Sequence, residues 1–342
     1  MNSAYNRYTS LLGKLIGYGF IIAIIYLMLA TLVVFGALVQ INRHVVLDVP
    51  WLLAVERHLY LNGAWNVWQT QVDCVDFDEV LIYKPKLGAC EFENIEFQTT
   101  LNFDEFGRSS GHTTTGNNAI AVVGDSFAMG WGVKDNETFS AVLEARLEQP
   151  VYNLGVSSYS TYRELSRLKQ TDVARAASTL VIQYTANDLA ENRQLRSGSR
   201  DRSVTTFTEI TGGNTRSEKQ TLPYLLSGLE YSLRYPIDLL PGRNVESSQF
   251  YDFSDHYEPL VNVLTEFEDF LQNKRIIVIY VNSWGRTFAN FPVGKDHSFE
   301  NLTFIELELS SSDFFLLDPH LNARGHRQIA EQLADVLSMP GS

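Results

Sequence analysis

From Leu15 to Val39 the chain reads "LIGYGFIIAIIYLMLATLVVFGALV", 25 residues without a charge. About 20 residues suffice to cross a bilayer as a helix. The alternative is a cleaved signal peptide, whose apolar core is usually about 7–15 residues long and is followed by a small-x-small cleavage site. This run is longer and no clear site follows it, so it reads as an uncleaved transmembrane anchor over 15–39. Arg7 and Lys14 precede the span and Arg43 follows it. That slight bias keeps residues 1–14 in the cytoplasm and puts the body of the protein outside it. No other stretch is long enough to span.

The chain has 342 residues, 45% of them apolar, enough for one large domain with extensions or for two domains. It carries 40 acidic and 27 basic residues for a net charge of −13. Phosphate binding needs a basic footprint, so nucleic acid is excluded as a partner. Two cysteines, Cys74 and Cys90, stand 16 residues apart. A lone pair is poor for zinc, which takes about four ligands. In an oxidising compartment the pair reads as a disulfide, with two free buried thiols as the alternative.

Beyond the anchor, Val49–Gln71 is rich in Trp, Leu and Val. It reads either as a helix at the membrane surface, with Trp51, Trp65 and Trp68 as interfacial aromatics, or as the first packed element of the ectodomain, the preferred reading. The segment 41–117 is expected to be a juxtamembrane accessory part with short strands. Alternation places two of them around Ile95–Phe97 and Thr99–Phe103. From 118 to 342 the pattern changes to strand, loop and helix in repetition. The expected strands are "AIAVV", "VYNLGV", "STLVIQYT", "RIIVIYV" and "DFFLLD". Helices are expected in "NETFSAVLEARLEQ" with Asn136 as N-cap, in "STYRELSRLKQ" with a Ser cap, in "HYEPLVNVLTEFEDFLQN" and in "NARGHRQIAEQLADVLS". Such alternation predicts an α/β fold, a parallel sheet covered by helices on both faces. The insertion 193–250 is polar at first and then carries the patch "LPYLLSGLEYSLRYPIDLLPG"; it reads as a partly ordered flap beside the site.

Open α/β sheets bind ligands at the carboxyl ends of their strands. The expected strand ends carry Gly124-Asp125-Ser126, Asn153-Leu154-Gly155, Thr185-Ala186-Asn187-Asp188 and Asp318-Pro319-His320. A serine hydroxyl becomes a nucleophile when a base within hydrogen-bond reach takes its proton. His320 can be that base, and Asp318 can fix its tautomer. Acyl transfer also needs donors aimed at the developing oxyanion. The N–H groups of Ser126 and Gly155 and the amide of Asn187 are the candidates, and Gly155 leaves room for a substrate against its backbone. His326, in the first turn of the last helix, reads as structural. Asp125 and Asp188 read as holding turns through backbone N–H groups. Asp135, Asp252, Asp255 and His256 fit no metal loop. Trp131 either lines the pocket or packs under the flap.

"GDSF" at 124–127, Gly155 in "NLGVSS", Asn187 in "TAND" and His320 in "DPHLNARGH" match, in order, the four sequence blocks of the SGNH (GDSL-like) hydrolases. The resemblance covers Ala119–Leu337. It implies a flavodoxin-like three-layer α/β/α sandwich with a five-stranded parallel sheet, here preceded by one transmembrane helix and a small N-terminal extension. It implies Ser126 as nucleophile, Asp318 and His320 as the other triad members, and Ser126, Gly155 and Asn187 as oxyanion donors. Two blocks depart from the pattern: Thr185 replaces the Gly of Gly-x-Asn-Asp, and Asp-x-His replaces Asp-x-x-His. Asp-x-His followed by Leu-Asn and Gly resembles the membrane-anchored periplasmic relatives that act on polysaccharide acetyl groups. "TLNFDEFGRSSG" is similar to their Asn-x-x-Gly-Phe-Arg element. The expectation is an inner-membrane, single-pass esterase with a periplasmic domain, working on an acyl ester of a glycan or lipid through an acyl-serine and calling for no cofactor or metal. An O-acyltransferase for an envelope polysaccharide is the alternative. A non-catalytic accessory subunit, partnered in a membrane complex, is the alternative of another class.

Overall fold

The computed structural model describes residues 2–109, 118–196, 210, 222–240, 251–285, 288–295, 299 and 301–338. Its helices are α1 (Asn2–Arg43), α2 (Pro50–Leu59), α3 (Ser126–Met129), α4 (Phe139–Leu147), α5 (Thr161–Lys169), α6 (Val173–Ala176), α7 (Asp188–Arg196), α8 (Leu222–Asp238), α9 (Ser254–Glu266), α10 (Glu268–Leu271) and α11 (Ala323–Ser338). Its strands are β1 (Val75–Asp78), β2 (Ile82–Pro85), β3 (Gly88–Asn94), β4 (Phe97–Asp104), β5 (Gly107–Arg108), β6 (Ala119–Val123), β7 (Val151–Asn153), β8 (Ala177–Tyr184), β9 (Tyr251–Asp252), β10 (Arg275–Tyr280), β11 (Phe288–Ala289), β12 (Gly294–Lys295) and β13 (Leu302–Ile305).

The chain forms two compact units, Met1–Trp65 with Arg216–Ser247, and Asn66–Thr215 with Ser248–Ser342. In the first, α1 is the described helix long and apolar enough to cross a membrane. Its large side chains from Leu15 to Leu29 are mostly exposed, whereas Ala30, Val34 and Ala37 are buried where α2 and α8 pack on it. The apolar patch of the expected flap is thus α8, a helix of this unit. The polar remainder of that insertion, 197–209, 211–221 and 241–250, lies outside the described residues, as does 110–117 of the loop before Ala119.

The second unit is built on a nine-stranded sheet in the order β12-β13-β10-β8-β6-β7-β5-β4-β3. Its centre is five parallel strands, β13, β10, β8, β6 and β7, of which the last four are expected ones. Taken in chain order, those five have the spatial order 2-1-3-4-5, the flavodoxin-like winding whose switch point lies between the first and third strands. Antiparallel strands extend both edges, and β3, β4 and β5 come from the segment expected to be accessory. Side chains alternate with period two across the parallel strands. Ala121, Val123, Leu180, Ile182, Ile276 and Val278 face a core closed by α5, α6 and α9 through Leu165, Leu168, Val173, Leu260 and Leu264. Ile120, Val122, Val181, Ile277 and Ile279 face the opposite core, closed by α4 and α11 through Phe139, Leu143, Ile329 and Leu333. The result is three layers. Cys74 and Cys90 are joined by a disulfide that ties the approach to β1 onto β3. Trp68 is buried in this unit against Phe103.

Three local expectations change. The fifth parallel strand is Leu302–Ile305, not "DFFLLD". The latter buries Phe314 and Leu317, but the N–H groups of Leu316, Leu317 and Asp318 go to the Glu96 carboxylate instead of to a neighbouring strand. Ile95 lies in the turn between β3 and β4 rather than in a strand. The N-cap of α4 is Thr138, whose Oγ1 accepts from Ala141 N at 3.2 Å, and not Asn136.

Candidate active site

β6 ends at Val123, and Gly124 and Asp125 turn the chain directly into α3, so Ser126 opens that helix at the switch point. Three side chains lock this turn. Asp125 Oδ1 accepts from Phe127 N at 3.0 Å, the N-terminal capping expected of a turn aspartate. Gln183, the penultimate residue of β8, accepts from Asp125 N at 3.1 Å and Ala128 N at 3.0 Å with one carbonyl. At the other end of α3, the buried Arg108 guanidinium donates to the carbonyls of Met129, Gly130 and Val133 at 2.7, 2.5 and 2.6 Å. Burial pushes the Arg108 pKa down, and Asp135, 2.8 Å from Nε, pulls it back up.

The turn brings Ser126 to His320, which lies 194 residues on in the sequence. Ser126 Oγ is 2.8 Å from His320 Nε2, and His320 Nδ1 is 2.6 Å from Asp318 Oδ1. The two-residue spacing is closed by a second bond, from the His320 N–H to the same carboxylate oxygen at 3.1 Å. Asp318 and His320 do not sit at a strand end. They sit in the long connection between β13 and α11, held there by Glu96, which accepts from Leu316, Leu317 and Asp318 N at 2.7–2.8 Å. Burial raises the Glu96 pKa and those three N–H groups oppose it. Ser126 and His320 keep 7% and 5% exposure while Asp318 has none, so a substrate can meet the hydroxyl and the imidazole but not the carboxylate.

Trp131 completes the arrangement. Gly130 has φ +84°, and a Cβ there would stand 2.6 Å from Thr138 and 2.7 Å from Arg108, so only glycine makes this turn out of α3. The turn lays the Trp131 ring on His320, with centroids 4.4 Å apart and planes 14° apart. Its indole N–H donates to Asp318 Oδ2 at 3.1 Å. Trp131, expected either to line the pocket or to pack under the flap, braces both partners of the serine.

The remaining block residues divide. Asn187 Nδ2 donates to Asp125 Oδ2 at 3.1 Å, and Thr185 Oγ1 donates to Asn187 Oδ1, which fixes the amide orientation. Thr185, in place of the usual Gly, thus works on Asn187 directly. Gly155 differs from expectation on two counts. Its N–H donates to Asn153 Oδ1 at 3.0 Å. A Cβ on it would stand 2.4 Å from Met129 N, so the space that its missing side chain leaves is filled by α3 and not by substrate. Asp188 accepts from Thr161 N and Thr185 N at 2.9 and 2.8 Å, a structural role as expected. Burial, with the neighbouring Asp125 charge, raises the Asp188 pKa well above its ordinary value. Burial, with the Asp188 charge, does the same to Glu164. His326 accepts from Phe139 N at 3.1 Å, and burial lowers its pKa to about 3. His256 bonds Tyr184 and is lowered by burial to about 4. Asp252 accepts from Ser254 N and Asn290.

Glu96, Arg108, Gln183 and Trp131 act on the site but carry no local signal of doing so, because each works over a long sequence separation. The element "TLNFDEFGRSSG" was the exception: it contains Arg108, and its Asn102 bonds Asp135 as well.

No family model and no curated protein matches the chain. Solved structures do. One is a lipolytic protein of the G-D-S-L family from Desulfitobacterium hafniense DCB-2, at 12% identity and TM-score 0.35, with 64% of this chain and 99% of that one covered. A second is an acetyl xylan esterase from the rumen bacterium Butyrivibrio proteoclasticus, at 13% identity and TM-score 0.35, covering 66% of this chain and 64% of that one. A third is a salicylyl-acyltransferase from a tetracycline biosynthetic pathway, at 14% identity and TM-score 0.31, covering 67% of this chain and 58% of that one.

Proposed function

We propose that the second unit is a serine esterase of the SGNH type, and that Ser126, His320 and Asp318 are its catalytic triad. The observation that carries this is the hydrogen-bond chain Ser126 Oγ, His320 Nε2, His320 Nδ1, Asp318 Oδ1, at 2.8 and 2.6 Å. Asp318 accepts a hydrogen bond from Nδ1–H, which fixes the tautomer and leaves the Nε2 lone pair free to take the serine proton as Oγ attacks an ester carbonyl. The imidazolium so formed lies between the Asp318 carboxylate and the face of Trp131, both of which favour positive charge. It then protonates the leaving alcohol, and water attacks the acyl-serine with His320 again as base. Ser126 N–H has no acceptor among the described residues, and one Asn187 amide hydrogen is held by Asp125, leaving the other for the oxyanion. Gly155 joins them only if its N–H leaves Asn153. The test is hydrolysis of p-nitrophenyl acetate by the purified protein: Ser126→Ala should remove turnover at unchanged melting temperature, and undiminished turnover would contradict the assignment.

A second reading, transfer of the acyl group to a glycan hydroxyl, is favoured by the Asp-Pro-His block. We infer that the domain lies outside the cytoplasm, on the periplasmic face of an inner membrane. The charges around the apolar run and the Cys74–Cys90 disulfide support that placement.

A further inference from the structure

We infer that α8 is a membrane-interface helix, with one face immersed in the lipid where α1 leaves the bilayer. The inference rests on α1 crossing the membrane. On a helix of 3.6 residues per turn, α8 divides into three stripes. The first packs: Gly228 and Ser232 are buried, Ser232 Oγ donates to Ala30 O at 3.1 Å, and Tyr224 OH donates to Leu59 O at 3.0 Å. The second is charged: Glu230, Arg234 and Asp238 recur at every fourth residue, with Arg234 bonded to Asp238 at 3.0 Å. The third is apolar: Leu222, Leu225, Leu226, Leu229, Leu233 and Ile237 recur at spacings of three and four. Leu229, at the edge of this stripe, packs against the core that α1 forms with α2, and the rest of the stripe turns outward. Leu222 is 67% exposed, Leu226 53% and Ile237 37%.

The level of α8 follows from its partners. Tyr26 OH donates to Leu233 O at 2.5 Å, and Ser232 bonds Ala30. Tyr26 and Ala30 both belong to the uncharged run Leu15–Val39. No charge occurs on α1 between Lys14 and Arg43, so the apolar stretch exceeds the roughly 20 residues a bilayer needs, and α2 and α8 cover its C-terminal end. Aromatic side chains collect where α2 and α8 meet α1: Tyr26 stacks with Trp51 at 6.2 Å, and on α8 Tyr231 stacks with Tyr235 at 6.1 Å. A leucine stripe beside a charged stripe, fixed to the end of a span, has one dry side and one wet side, which is what a bilayer surface accommodates. A protein partner covering the leucines is the competing occupant.

The experiment uses the full chain in vesicles of phosphatidylcholine and phosphatidylglycerol. Cys74 and Cys90 are disulfide-bonded, so one introduced cysteine takes a nitroxide label. Phe20→Cys, Leu226→Cys and Arg234→Cys are compared by collision with oxygen, which concentrates in lipid, and with a water-soluble nickel chelate. The oxygen-to-nickel ratio should be several-fold higher at 20 and 226 than at 234. A lipid-like ratio at 20 with a water-like ratio at 226 overturns the inference while α1 still spans. A water-like ratio at 20 removes the span itself. Exclusion of both reagents at 226 means a protein partner and also overturns it. All three positions are exposed or charged, so the substitutions leave the fold in place.

Discussion

Asp318 accepts hydrogen bonds from both the N–H and Nδ1 of His320 and from the Trp131 indole. The indole bond anchors the oxygen that does not face the imidazole, so the carboxylate cannot rotate away from Nδ1. Trp131→Phe keeps the stacked ring and removes the donor. A buried hydrogen bond to a charged group contributes about 1.5–3 kcal/mol, so ester turnover per active site should fall roughly tenfold to a hundredfold. A change under about twofold, measured as kcat/KM, would show that the bond does not orient the carboxylate. His326 makes a different prediction. Burial holds its folded pKa near 3, below the 6.5 of the free side chain. As pH falls below 6.5 the unfolded chain gains a proton that the folded protein refuses. Its contribution to stability is therefore whole above pH 6.5 and is lost as pH falls toward 3. His326→Asn, which keeps an acceptor for Phe139 N and cannot be charged in this range, should flatten the melting temperature between pH 6.5 and 4. An unchanged slope in the variant would place the proton uptake elsewhere, His256 being the next candidate.

At the scale of elements, the site is a four-residue helix held at both ends, facing a loop held by one carboxylate. Gln183 and Asp125 fix the start of α3, Arg108 fixes its end, and Glu96 fixes the loop carrying Asp318 and His320. Glu96→Gln keeps one acceptor and turns an NH₂ toward backbone donors. One or two of those bonds to a charged acceptor are lost, about 1.5–3 kcal/mol each. Ester turnover should drop at least tenfold, and Glu96→Asp should recover little because the shorter side chain cannot span three consecutive N–H groups. Full activity in Glu96→Gln would mean that the loop holds itself. This is also where reading the sequence stopped short. Ser126, Asn187 and His320 were legible because their neighbours in sequence are turn and cap residues of recognisable type. Glu96 was not, because it is one of many acids in a β-hairpin and acts 220 residues away. For the same reason "DFFLLD" resembled a strand: its apolar residues do enter the core, and only the destination of its N–H groups, set by Glu96, separates loop from strand. Gly155 was legible as a glycine that must be small, but its neighbour is α3 and not a ligand.

For the whole molecule, the parallel αβ alternation fixed the winding, and the winding put Ser126 at the switch point before any side chain was placed. The edge strands β3, β4 and β5 could not be assigned to the same sheet from their alternation alone, because period two does not name a neighbour. The insertion 193–250 read as one functional loop, whereas its apolar helix belongs to the compact unit of α1. The disulfide closes a 16-residue separation. Replacing Cys74 and Cys90 by Ser should lower unfolding free energy by about 2–4 kcal/mol in urea, through a less restricted unfolded chain. Equal midpoints in the presence and absence of a reductant would contradict that contribution. The central claim is that Ser126 is an activated nucleophile. It is tested most directly by labelling the detergent-solubilised protein with a fluorophosphonate probe, wild type beside Ser126→Ala and His320→Ala. An activated Ser126 gives labelling of the wild type alone. Labelling of Ser126→Ala, or of none of the three, would contradict it, and in the latter case the unit would be a binding subunit that has kept the fold of an enzyme.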